Sequence, residues 1–158
     1  MSGCIIPVAP DFQDPVGSPN YSPYWYREAQ PPFGTPFTIT GSFYDFTVVA
    51  SDPNLTDPLW VQWAIDYPPF RMGVTNAITG MMPVAPTPDG SRSFSLRVSC
   101  NLLLMANANS FHQLEVIVSD AEPAFHPNGP FNDVPEGRFA IQGDWTFYLP
   151  CDGTANPP

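Results

Sequence analysis

Residues 91–100 read SRSFSLRVSC. In an extended chain Phe94, Leu96, Val98 and Cys100 fall on one face, with Ser95, Arg97 and Ser99 on the other. Successive side chains of a strand point to opposite faces, so this alternation marks a half-buried β-strand. The same period recurs in both directions. Upstream, LWVQWAID at 59–66 sets Leu59, Val61, Trp63 and Ile65 against Trp60, Gln62, Ala64 and Asp66, which places Trp63 in the core. FTIT at 37–40 and FYDFTVVAS at 43–51 read as two further strands. Downstream, HQLEVIVSD at 112–120 turns Leu114, Val116 and Val118 inward. GDWTFYLPC at 143–151 does the same with Trp145, Phe147, Leu149 and Cys151. A weaker pattern near 74–84 suits an edge strand. NLLLMANANS at 101–110 has the spacing of a short helical crossover, and 121–138 reads as a long turn before the last strand. About seven short strands separated by turn residues argue an all-β domain, a β-sandwich with a small barrel as its rival.

The totals agree. A chain of 158 residues is one domain with room for a real core. Its 22 prolines oppose long helices, because proline lacks the amide donor and clashes with the preceding turn. Five basic residues and a formal charge of −10 argue against nucleic acid and against docking on anionic lipid. No apolar run approaches the roughly 20 residues of a spanning helix. Residues 1–36, with a proline every few positions, read as an arm or tether. The sandwich then occupies 37–152, and 153–158 form a C-terminal tail.

Three cysteines punctuate the chain. Cys100 and Cys151 each end a strand on its inward face, which makes them a plausible disulfide, although three cysteines allow three single pairings. A bridge closing a loop of about 50 residues implies an oxidising compartment. Cys4 is the odd one. The opening Met-Ser-Gly-Cys resembles the end of a bacterial lipobox, in which small residues precede a lipidated cysteine. That resemblance implies lipidation at Cys4 of an exported protein of the bacterial cell envelope. Membrane contact is then through the anchor alone, and the proline-rich arm is the tether.

A second resemblance rests on Asn20 and Pro23, on Ala50-Ser51-Asp52-Pro53-Asn54 closing one strand, on Asp57 ahead of the Trp63 strand, and on LEVIVSD ending at Asp120. These stretches resemble bacterial cell-surface domains of the immunoglobulin-like class, the cadherin-like and PKD-like modules among them. The resemblance implies an immunoglobulin-like sandwich with a non-enzymatic structural or protein-binding role. Its partners would be envelope or surface proteins, or a second copy of the chain. The acidic linker motifs of true cadherins are missing, so calcium bridging between repeats does not follow from it.

Two constellations carry further chemistry. In a sandwich of this kind Asp52, Asn54, Asp57 and Asp120, with Glu122 nearby, gather at one end, where such oxygens suit calcium. Asp-Pro-Asn is equally ordinary turn chemistry. Tyr21, Tyr24, Trp25, Tyr26 and an outward Trp60 make an aromatic surface suited to glycan or peptide, unless the arm itself packs on Trp60. The alternative to the envelope module is therefore a secreted glycan-binding module. The chain has no nucleophile elbow, zinc-protease motif, Cys-x-x-Cys or phosphate loop, and His112 and His126 read as structural or surface residues. An enzyme is not expected.

Overall fold

The computed structural model describes residues 19–55, 57–66, 78–100, 110–122 and 134–150. All eight elements among them are strands: β1 (Tyr24–Gln30), β2 (Phe37–Thr38), β3 (Phe43–Ser51), β4 (Leu59–Ile65), β5 (Ile78–Val84), β6 (Ser91–Ser99), β7 (Phe111–Ser119) and β8 (Ala140–Tyr148). They form two sheets, ordered β1-β3-β6 and β2-β8-β7-β4-β5. Neighbours are antiparallel except β2 and β8, where Phe37 and Thr38 run parallel to Phe147 and Tyr148.

The period-two pattern decides which face is buried. Phe46, Val48 and Ala50 of β3, with Phe94 and Val98 of β6, face Leu59, Val61, Trp63 and Ile65 of β4 across one core. Leu114, Val116 and Val118 of β7, together with Trp145, Phe147 and Leu149, complete that core and are fully buried. Both sheets thus bury one face against the other, which is a β-sandwich.

Aromatic rings join the layers. Phe46 of the first sheet meets Trp145 and Phe147 of the second, at centroid separations of 5.1 and 5.3 Å. Trp63 stacks on Trp145 at 6.0 Å. The Trp145 indole N–H donates to the Pro31 carbonyl at 2.6 Å, so the one polar atom of this buried ring is satisfied.

Two sequence expectations need correction. The arm assigned to 1–36 contains β1, which pairs with β3 and buries Ala29. The reason lies in the prolines: 24–30 is a seven-residue window free of them, between Pro23 and Pro31, and holds Tyr-Trp-Tyr. The last strand starts at Ala140 rather than Gly143. The weak pattern near 74–84 is edge strand β5 over its described residues, Ile78–Val84, as expected. The helical crossover at 101–110 and most of the turn at 121–138 lie outside the described residues, as does the tail.

After β1 the chain crosses from the first sheet to the second. Phe33 lies over β8, its ring 4.6 Å from Trp145 and 5.4 Å from Trp25. Gly143 makes this possible, because a Cβ there would sit 2.3 Å from Phe33 Cζ. Gly143→Ala is therefore expected to destabilise the fold by about 1–3 kcal/mol, as overpacking does. In a Phe33→Ala background the same change should cost markedly less. Urea unfolding of the four proteins of this cycle checks both statements.

Candidate functional site

One end of the sandwich collects the polar side chains. The end of β3, the start of β4, the end of β7 and the start of β8 meet there, because Trp60 pairs with Ser119 and Ser119 with Ala140. Tyr24 pairs with Ser51, which brings residues 20–23 to the same end. All four acidic or amide residues expected at this end are found there.

Asp52 is fully buried. Its Oδ1 accepts the Asn54 amide at 2.7 Å, closing a tight turn. Its Oδ2 is buried with no hydrogen-bond partner. Burial pushes the Asp52 carboxyl up to about 6, against the pull of the Asn54 amide; Asp120 and Asp57 add repulsion that Arg92 partly offsets. Asp120 is 2% exposed. Its Oδ1 accepts the Phe139 amide at 2.9 Å and its Oδ2 accepts the Asn20 side-chain amide at 2.5 Å. The same Asn20 nitrogen also donates to the Gly137 carbonyl at 3.0 Å.

The side chains of the other two expected residues have partners of their own at this end. Asn54 Oδ1 accepts the Tyr21 amide at 2.8 Å. Asp57 pairs with Arg138, Nη1 to Oδ2 at 3.0 Å. Among the described residues, no three His, Cys, Asp or Glu side chains are grouped so as to hold a metal ion.

Arg92 braces this end and was not singled out in the sequence. It shares the inward parity of Phe94 and Val98, and only 1% of it is exposed. Its guanidinium donates to the carbonyls of Val84, Gly90, Leu55 and Asp57. The β3–β4 loop is thereby tied to both ends of the β5–β6 turn. Burial lowers the Arg92 pKa, while Asp52 and Asp57 raise it through space. The turn itself is built on Asp89, whose carboxylate takes the Thr87 hydroxyl and the Ser91 hydroxyl and amide, holding it down at about 2.

The aromatic residues do not form one surface. Tyr24 and Tyr26 are exposed on β1, whereas Trp25 turns towards the core. Trp60 lies half-buried on β4 of the other sheet, between Pro83 and Ser119. Instead, Trp25, Tyr26, Arg27, Glu28, Pro32 and Phe33 line a groove of about 420 Å³ along β1. Tyr21 is exposed beside the polar end.

Cys100 Sγ lies 3.9 Å from the Pro150 carbonyl oxygen, one residue before Cys151. Cys151 and Cys4 lie outside the described residues. At the opposite end, His112 is buried and its Nδ1 sits 2.7 Å from Asp66 Oδ2. Asp66 adopts φ 54° there and also accepts the Gln113 amide. Compared with known proteins, the chain matches no family model and no curated sequence.

Two arginines on one strand separate buried from exposed charge. Arg92→Met removes the buried side chain whose guanidinium ties four backbone carbonyls together, and is expected to cost more than about 2 kcal/mol in chemical denaturation. Arg97→Met breaks the exposed pair with Asp45 and the contact of the guanidinium over the exposed Phe43 ring, and its unfolding midpoint should stay close to that of the parent protein.

Proposed function

We propose that this protein is a non-enzymatic, immunoglobulin-like module of the bacterial envelope or cell surface, with a structural or protein-binding role. The observation that carries the reading is strand order. Taking β1 to β8 in turn as A, A′, B, C, C′, E, F and G, the sheets read A-B-E and A′-G-F-C-C′. This follows the immunoglobulin arrangement, in which B and E share one sheet and G, F and C the other. A buried tryptophan on strand C belongs to that arrangement, and Trp63 stands there. It stacks on Trp145 of strand G in the same sheet, at a ring separation of 6.0 Å.

A Cys100–Cys151 bridge is part of the same proposal, supported by the approach of Cys100 Sγ to Pro150. It would tie the chain beyond β6 to the chain beyond β8 and requires an oxidising compartment. Lipidation at Cys4 completes it, with residues 5–18 as the tether. The partner is then an envelope or surface protein, or a second copy. Intact mass of protein from its native cells, with and without reductant, tests both modifications. The expected result is acyl mass on Cys4 and, before reduction, a mass two hydrogen atoms below that of the reduced chain. An unmodified Cys4 together with three free thiols removes the compartment from the proposal.

The groove along β1 favours a second reading, a secreted glycan-binding module. Tyr26 offers an exposed ring, and Arg27 and Glu28 offer polar groups beside it. On a glycan array, this reading expects binding that Tyr26→Ala reduces at least tenfold. Binding unchanged by that substitution, or no binding, rejects it.

A further inference from the structure

We propose that Asn20, Asp52 and Asp120 form a binding site for a calcium-sized divalent cation, which fastens the segment leading into β1 to the loop end of the sandwich. The inference is independent of where the protein is displayed.

The first observation is an excess of acceptors. Asp52 Oδ2 and Asn20 Oδ1 are both buried oxygens without a donor. Buried polar groups are nearly always satisfied, so two orphaned oxygens in one small cluster require an explanation. They belong to two hydrogen-bonded groups that meet at the Asn20–Tyr21 peptide. Asn20 bonds Asp120, Tyr21 bonds Asn54, and Asn54 bonds Asp52. Asp120 also repels Asp52 through space.

The second observation concerns the cations already present. Arg92 spends its donors on backbone carbonyls, and Arg138 is paired with Asp57. Neither donates to Asp52 or Asp120. Among the described residues, a fully buried carboxylate therefore stands near enough to a second to be repelled by it, without a positive partner in hydrogen-bond contact. A hard cation supplies what both orphans lack.

Ligand type favours calcium. Two carboxylates and an amide oxygen are hard donors, and calcium accepts six to eight oxygens in irregular geometry, water included. Three side chains make a weak site, in the range of about 10⁻⁴–10⁻³ M typical of extracellular modules. Asn20 differs in kind from the residues its sequence neighbourhood suggested. It stands 32 positions before Asp52 and 100 before Asp120, and only the pairing of β1 with β3 brings it to them.

Isothermal titration of the full, metal-stripped chain with calcium chloride at pH 7 is the direct test. One calcium per chain is expected, with a saturable rise in Tm, because a ligand of the folded state stabilises it. Asn20→Ala and Asp52→Asn should each weaken binding at least tenfold. Asp45→Asn, which alters an exposed acid on β3 paired with Arg97, should leave it unchanged. Magnesium at equal concentration should compete poorly. No heat and no Tm shift up to about 10 mM calcium, well above the affinity range of such sites, overturns the proposal. So does a rise in Tm that the Asn20 and Asp52 variants retain. If the metal-stripped protein ignores calcium yet gains stability between pH 7 and pH 5, the occupant is a proton on Asp52 and the cation site is rejected.

Discussion

The indole N–H of Trp145 has one acceptor, the Pro31 carbonyl, and the course of the chain between the sheets depends on that bond. A tryptophan this deeply buried must place its polar atom against a partner. Meeting that need draws the segment after β1 into the space beside the core. Phe33 then fits over Gly143, and Gly34 donates its amide to Asp144. From there the chain continues as β2, parallel to β8. One glycine and one hydrogen bond thus place the crossing from the first sheet to the second.

The loop end follows a different rule. Its buried charges of opposite sign are not directly bonded to one another. Arg92 is dispersed over backbone carbonyls, and Asp52 takes one backbone amide. Hydrogen bonds to charged groups are among the stronger individual contributions to stability, and here they cross-link loops distant in sequence. The exposed Arg97–Asp45 pair on the same sheet is bidentate and well aligned, but solvent screens it. The difference is burial, not geometry.

The first sheet's edge strand β1 is irregular. Its register against β3 shifts between Trp25 and Arg27 and again before Gln30. Irregularity of this kind discourages pairing with another chain along that edge. It also spreads Tyr26, Arg27 and Glu28 beside Phe33, which is where the groove forms. A binding face along β1 would therefore be made of side chains rather than of an added strand.

Local pattern determined the buried face of nearly every strand. Leu114, Val116, Val118, Trp63, Trp145 and Phe147 are core residues for the reason their spacing stated, since an alternating strand has one side to hide. The polar end was legible in part. Asp52 and Asp120 close strands and could be placed together by assuming a sandwich. Asn20 and Arg92 could not. Arg92 sits at an apolar parity position, and no local rule says that four carbonyls will surround it. Asn20 lay in a stretch whose prolines read as an arm, and β1 within that stretch was marked only by a seven-residue gap between them. Long-range pairing decided these points, because an orphaned oxygen or a buried guanidinium is defined by what the fold brings against it, and that neighbour lies dozens of residues away.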